Sequence, residues 1–459
     1  MIKKISVYLN ILSNMGPKYV LFRSQYEFQR KAGLLKKRYP TTFEKKTFIS
    51  LENWRNQKKK FFFDSKESLC LPKKEDDCLK QEYSNYKKGI LRYFNSKDYT
   101  IPEDSNWITN PETGYVYDKD AHWTEIRDLE KGKGDIKYVW ERSRFSFLYT
   151  LIRYDYHFEK DCSVDVFKEI EHWIDSNALN MGPNYKCSQE ISIRVMNWSF
   201  AINYYRYSET LNEKLFEKIM NSIYWQIDHV LKNINFSLIA VRNNHAITES
   251  LMLYIGGLLY SFMPNSELWY QRGKSYLEKE VNYQIYTDGT HLLLSTNYQR
   301  TVLQVLTWGL KLSNANNDHF SRGFYERIYK CLNQLFQVLN IENGNVPNYG
   351  PNDGSLFCKL NNKDFRDYRP QINALSKFLT DEYLFEDLEL KEDSFWYNEE
   401  NVLTTPFSPL LQNKLNSFDQ GGIYTIRDKS DFSFIVCKNH LNRPSHADNL
   451  HIDIWKNGI

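Results

Sequence analysis

The sequence predicts a mainly α-helical chain: an incomplete (α/α) toroid, followed by the start of an antiparallel β-sandwich domain that reads as truncated. Three observations predict this. Apolar residues recur at helical spacing in one segment after another from residue 136 to residue 379. Short stretches of turn formers, such as Asn180 to Asn184 and Asp288-Gly289, separate those segments. Near residue 415 the pattern changes to short β-type runs.

Residues 1–100 form a basic, aromatic N-terminal region with a helical pattern from Tyr19 to Leu35. The stretch 101–135 is rich in Pro, Gly, Asp and Asn and reads as loop. A helix over 136–153 follows from Ile136, Val139, Trp140, Phe145, Leu148 and Leu151. Further helices are expected at 164–177, 188–206, 211–233, 244–262, 266–284, 297–313, 320–340 and 370–379. No repeat of fixed sequence is visible, which disfavours a TPR-like array. The toroid is therefore assigned to 101–400 and the β-region to 415–459. There, Phe418 to Arg427 and Phe432 to Cys437 read as a hairpin around Asp428 to Asp431. Leu450 to Trp455 reads as a third strand with His451, Asp453 and Trp455 on one face. Three strands leave sheet edges open, so the expectation is a completing partner or a longer form of the chain.

Composition narrows the function classes. With 459 residues the chain can bury a large core, and a formal charge of +3 gives a nucleic-acid role no support. The basic runs Lys36 to Arg38 and Lys58 to Lys60 read as solvated surface. An aromatic share of 16% suits stacking on sugar rings, but it suits a large core equally. The seven cysteines include no CxxC pair, so neither a disulfide framework nor a zinc ribbon is expected. The N-terminus makes a poor signal peptide, and no window nears the roughly 18 apolar residues of a membrane span.

The segment Val241-Arg-Asn-Asn-His-Ala-Ile-Thr-Glu-Ser250 sets two amides and an imidazole at the start of an apolar helix. Buried polar groups require hydrogen-bond partners, and for Asn244 and His245 a carboxylated sugar fits best. The bland alternative is a helix-capping Asn beside a satisfied core His. Glu249, one turn after His245, is placed to accept the second imidazole N–H and fix the tautomer. Glu190 and Arg194 form an i, i+4 pair with Trp198 a further turn along.

Four segments together resemble the heparinase II/III-like family of polysaccharide lyases, which includes alginate and heparan lyases. They are Asp135 to Phe145, Cys187 to Trp198, Arg242-Asn-Asn-His-Ala246, and Asp288-Gly-Thr-His291 with Asn297-Tyr-Gln-Arg300. Arg443 to Leu450 looks like the start of the family's C-terminal β domain. The resemblance spans about residues 100–459, and the N-terminus is similar to members associated with bacterial surface-polysaccharide gene clusters.

The resemblance implies cleavage of an acidic, uronate-containing polysaccharide by β-elimination, with no cofactor. In that chemistry a base removes the C5 proton and the C4 oxygen departs. Amide and imidazole donors neutralise the carboxylate and stabilise the enolate-like state. By resemblance Asn244 and His245 take that role, and Tyr298 matches the family's catalytic tyrosine. A phenol titrates near pH 10 when unperturbed and needs a nearby cation to act as a base. Arg300 is the nearest candidate in sequence, provided Tyr298 lies at a helix start. The bland alternative makes Tyr298 a core anchor beside Val302 and Leu306. In the functional reading Arg194 lines the cleft, Trp198 stacks on a sugar, and Glu249 and Arg300 complete the binding set. Asn348 and Asp353 lie on a loop that could border the cleft.

The C-terminal motif departs from the family's His-x-His-x-Asp. Pro444, His446 and Asp448 occupy those positions, so the catalytic histidine is replaced by proline. His446 alone makes no zinc site, and no metal is expected. It remains a candidate for catalysis, with His440 and His451 as unmarked substitutes. Two alternatives stay open: a glycoside hydrolase using Asp288, Asp353 or Glu249, and a polysaccharide-binding protein without turnover. The resemblance points to the periplasm and the N-terminus to the cytoplasm. Oligomeric state is not legible.

Overall fold

The computed structural model describes residues 2–102, 105–127, 130–438, 446 and 448–458, with side chains from residue 12 onward. The chain opens with α1 (Ile2–Lys31), α2 (Leu34–Arg38), α3 (Leu51–Arg55) and α4 (Asp77–Lys87). A hairpin of β1 (Ile90–Tyr93) and β2 (Lys97–Thr100) follows, and sequence periodicity gave no sign of it. Helix α1 kinks at Gly16, where φ is 77° and Pro17 follows. Aromatic residues fasten this region to the body: Phe62 meets Trp308 edge-on at 4.9 Å, and Trp54 tilts onto Phe216 at 5.1 Å.

The helical body contains α5 (Lys137–Ser143), α6 (Leu148–Phe158), α7 (Ser163–Ser176), α8 (Ser188–Tyr204), α9 (Glu213–Asn235) and α10 (Asn244–Leu259). It continues with α11 (Ser266–Gln284), α12 (Thr296–Ala315), α13 (Arg322–Gln337), α14 (Arg369–Thr380) and α15 (Leu388–Trp396). Helices α6, α8, α10, α12 and α14 touch in succession, while α7 packs on α9 and α11 on α13. This is the double layer of an open (α/α) toroid. Burial agrees: every residue of α8 is buried, as expected for a helix covered on all sides. Outer helix α13 buries a stripe of Phe324, Ile328, Cys331, Leu332 and Leu335 at spacings of three and four.

Glycines permit one unusually close contact in this wall. A Cβ on Gly257 of α10 would strike the backbone of Ser266 and Tyr270, and one on Gly273 of α11 would strike that of Tyr254. The two helices thus meet backbone to backbone. Most expected helices are present, but that over 136–153 is broken into α5 and α6 at Phe145, whose φ is 65°.

The C-terminal sheet is antiparallel, in the order β3 (Leu415–Phe418), β4 (Ile423–Asp428), β5 (Asp431–Val436), β6 (His451–Trp455). The run expected as one strand from Phe418 to Arg427 is split at Gly421-Gly422, which adds a fourth strand. Alternation sends Ile423, Thr425, Phe432, Phe434 and Val436 inward, whereas Ile426, Ile452 and Ile454 are exposed. The inner face docks on the end of α13, where Arg427 Nη2 donates to Leu339 O at 2.9 Å. Among the described residues no helix is long and apolar enough to cross a membrane.

Candidate active site

Five segments supply the site: α5, the start of α8, the start of α10, the start of α12 and the loop 347–354. On α5 and its C-cap, Lys137, Glu141 and Arg144 follow at i, i+4 and i+7 and so share one face. Arg144 binds Glu190 of α8 through two bonds, Nε to Oε2 at 2.5 Å and Nη2 to Oε1 at 2.9 Å, and also pairs with Glu141. Burial opposes the Arg144 charge, but Glu190 and Glu141 outweigh it and hold the guanidinium firmly protonated. Burial pushes the Glu141 carboxyl up.

Tyr298 lies in the first turn of α12. Ser295 caps that helix, accepting from Tyr298 N at 3.1 Å while its own hydroxyl donates to Pro351 O at 2.6 Å. Thr296 Oγ1 donates to Pro347 O at 2.9 Å. The loop is thereby pinned across the helix start, and it brings Asp353 onto the tyrosine. Tyr298 Oη donates to Asp353 Oδ2 at 2.7 Å, and Lys137 Nζ donates to the same oxygen at 2.9 Å. Burial, the adjacent carboxylate and their hydrogen bond hold the phenol well above its ordinary range, and Arg144 offsets this only in part. Burial works against the Asp353 charge, yet Lys137 and the Tyr298 bond keep that carboxyl below its ordinary value.

Asn243 caps α10, accepting from His245 N at 3.0 Å, and the next residue, Asn244, is buried with Nδ2 donated to Gln189 Oε1 at 3.2 Å. His245 is partly exposed, with Nδ1 3.7 Å from Cys187 Sγ. Burial holds the Cys187 thiol protonated and lowers the His245 pKa to about 4, so the imidazole is neutral at neutral pH. The contact sets one of two tautomers: with the S–H donating to Nδ1 the ring proton sits on Nε2, and with Nδ1–H donating to the sulfur it sits on Nδ1. His245 and Tyr298 share Arg144, Glu190 and Asp353 as charged neighbours, so both belong to one electrostatic cluster.

The backbone marks the same place. Phe145, Arg242 and Leu294 have φ of 65°, 46° and 48°, and each adjoins a site element. Phe145 follows Arg144, Arg242 precedes the Asn243 cap, and Leu294 precedes the Ser295 cap. A bulky residue in the left-handed region costs about 1–3 kcal/mol, and such strain gathers at functional sites.

Four expected binding residues are placed in the interior. Glu249 does not orient His245: its Oε1 accepts from Ser237 Oγ at 2.6 Å, its Oε2 is buried without a partner, and burial raises its pKa to about 8. Cys187 holds the position expected of it. Arg194 is fully buried, donating to Gln226 Oε1 at 2.7 Å and Asn184 O at 3.1 Å and stacking on Trp173 at 4.0 Å. The Glu190 carboxylate is thus bound by Arg144, not by Arg194. Trp198 has no exposed surface and packs edge-on against Phe145 and Trp173, so it offers no face to a sugar. Arg300 turns into the core, onto Tyr368 at 3.8 Å and Asn297 Oδ1 at 2.9 Å, away from the Tyr298 phenol.

His446 is exposed, and Pro444 and His440 lie outside the described residues. Tyr349 donates to the carbonyl of Asp448, tying the segment after His446 to the loop that carries Asp353. His451 pairs with Asp448 at 3.1 Å. The site residues that motif reading missed are Lys137, Glu141, Arg144 and Cys187. The spacing of Lys137, Glu141 and Arg144 was a usable signal, whereas nothing local marks Cys187. Among the described residues no group of three or more His, Cys, Asp or Glu is arranged to hold a metal ion.

The fold and parts of the sequence are similar to known proteins. A crystal structure of heparinase III superposes with a TM-score of 0.55 at 16% identity, covering 98% of this chain and 65% of that one. A mutant of the heparan sulfate lyase HepC from Pedobacter heparinus gives 0.51 at 14% identity, covering 89% of this chain and 58% of that one. The chain therefore spans less than two-thirds of either structure, and the likeness at this identity is one of fold. No curated protein sequence matches it. The family described as Heparinase II/III N-terminus matches residues 73–369, more than half of the chain. The chain belongs to the heparinase II/III family.

Proposed function

We propose that this protein is a polysaccharide lyase that cleaves an acidic, uronate-containing polysaccharide by β-elimination. The observation that carries the reading is the shared charged surround of Tyr298 and His245. A neutral, partly exposed imidazole that carries its ring proton on Nε2 is suited to bind the uronate carboxylate, and Asn244 supports it from the same helix start. Neutralising that carboxylate stabilises the enolate-like state where charge develops. Tyr298, protonated against Asp353, serves as proton donor to the departing C4 oxygen. The C5 proton goes to an imidazole base, for which exposed His446 is the candidate. Residues 101–400 would carry the cleft, and 415–459 would close one side of it.

A glycoside hydrolase needs two carboxylates facing one bond across about 5–9.5 Å. Asp288 is occupied by the backbone N–H groups of Thr290 and Gly421, both at 3.0 Å, and Glu249 is sealed in the core. Those placements favour the lyase over the hydrolase.

The test is incubation with a panel of uronate polymers, watching for ultraviolet absorbance of the unsaturated product. Tyr298→Phe should cut the rate by about 10²–10⁴-fold while leaving thermal stability unchanged. Undiminished activity would remove Tyr298 from the mechanism. Cleavage without a double bond would favour the hydrolase, and binding without cleavage a non-catalytic role.

A further inference from the structure

Lys137, Asp353 and Tyr298 form a chain of charge-assisted hydrogen bonds that meets at one atom. Both Lys137 Nζ, at 2.9 Å, and Tyr298 Oη, at 2.7 Å, donate to Asp353 Oδ2. The three come from α5, the 347–354 loop and α12, so the contact spans three separate elements. The loop is locked there independently: Ser295 holds Pro351, and Thr296 holds Pro347. On its far side Asn95 Nδ2, in the turn of the β1–β2 hairpin, donates to Gly354 O at 2.8 Å. A Cβ at Gly354 would collide with the Phe94 carbonyl, so hairpin and loop fit only with glycine there.

We infer that Asp353, itself held by Lys137, is a positioning residue that commits Tyr298 to donating a proton. The inference rests on the lyase reading above and adds to it the groups that set the direction of transfer. A phenol that donates to a carboxylate at 2.7 Å is fixed with its proton on oxygen. Losing that proton to Asp353 would place it on an acid that Lys137 keeps ionised. During elimination the C5–H electron pair becomes the C4–C5 double bond as the C4–O bond breaks. The C5 proton passes to the imidazole base, and the Tyr298 proton passes to the departing oxygen. Water then returns a proton from the base to the phenolate, which restores both groups.

Other charges also face the phenol. Arg144 from the end of α5 favours the phenolate, and Glu190 from α8 opposes it. Arg144 is bound to Glu190 and Glu141, so its charge is largely answered by theirs. Asp353 is the carboxylate that bonds the phenol directly, and Lys137 acts on Tyr298 through it.

The test reads the ring at position 298 without relying on turnover. A ring-fluorinated tyrosine is placed at 298 in the full chain, with its acidity chosen so that it titrates before the protein unfolds in alkali. Its ¹⁹F shift is followed against pH. Asp353→Asn, which removes the negative charge at constant size, should lower the midpoint by more than about one pH unit. Lys137→Met should raise it, because the carboxylate loses its cation. Opposite shifts are not expected of residues that merely support the fold. With an active substrate, Asp353→Asn should lower kcat about tenfold or more with KM changed less than about threefold, and Asp353→Glu should recover part of the loss. A midpoint unmoved in a folded Asp353→Asn protein overturns the inference. Midpoints that shift as expected, without unsaturated product from any uronate polymer, uphold the positioning role and overturn the lyase reading alone.

Discussion

The candidate site and the interior of the toroid both bury charged side chains, but they satisfy them differently. Inside, three single cations fasten neutral oxygens, while Arg153 keeps a carboxylate partner in Glu392 at 2.8 Å. Arg194 holds Gln226 and Asn184, Arg300 holds Phe365 O and Asn297, and Lys311 donates to the carbonyls of Asn398 and Asn401. Burial lowers the pKa of each, to about 10 for Arg194 and about 7 for Lys311. At the candidate site, cations meet carboxylates, and the pairing pushes Arg144 and Lys137 up and Asp353 down. These three interior cations act as clasps, while the ions of the candidate site keep their charge through their pairing. A buried arginine is therefore no guide to a binding site until its acceptors are known.

The largest effect that would sharpen this contrast is expected at Arg194. Arg194→Met should destabilise the protein by about 3 kcal/mol, because Gln226 Oε1 and Asn184 O lose their buried donor. The readout is chemical denaturation, with activity per folded molecule retained. A stable but inactive Arg194→Met protein would return this residue to the cleft.

Glu249 offers a smaller, pH-dependent effect. Its folded pKa of about 8 lies above the ordinary value near 4.3, so the folded state binds the extra proton between those values. Its contribution to stability is complete below the lower value and is lost as pH rises through the upper one. Glu249→Gln should therefore match the parent protein near pH 4 and melt roughly 2 °C higher near pH 9. Equal melting curves at both pH values would remove the buried, protonated carboxyl from the account.

The smallest effect is expected at Cys187. Cys187→Ala frees the His245 tautomer without touching a charge and should slow turnover roughly threefold. Histidine ¹⁵N shifts check whether the tautomer ratio changes. An unchanged tautomer would assign that control elsewhere.

Much of the toroid was legible because helix period depends on sequence-local spacing. The segments 266–284 and 244–262 correspond to α11 and, within three residues, to α10. The break at Phe145 was not legible, because its apolar character fits a continuing helix equally well. The turn at Gly421-Gly422 was present as a signal, yet the flanking β-type residues outweighed it. For the candidate site, what the motifs made readable is position: Asn244, His245 and Tyr298 stand in the first turns of α10 and α12. The burial of Arg194, Trp198, Glu249 and Arg300 was not readable. Which side of an inner helix faces the cleft depends on neighbours far away in sequence, and an inner helix is apolar all round.

The backbone contact between Gly257 and Gly273 acts like the locked jaw of a caliper. His245 stands at the first turn of the helix that holds Gly257, about 18 Å away along its axis. A helix of that length moves as a rod, so its height is fixed by where the two glycines seat. Even alanine at either glycine would pry the rods apart and lift the imidazole from its post. The height of the imidazole is thus set where the inner and outer layers meet, at two residues with no side chain at all.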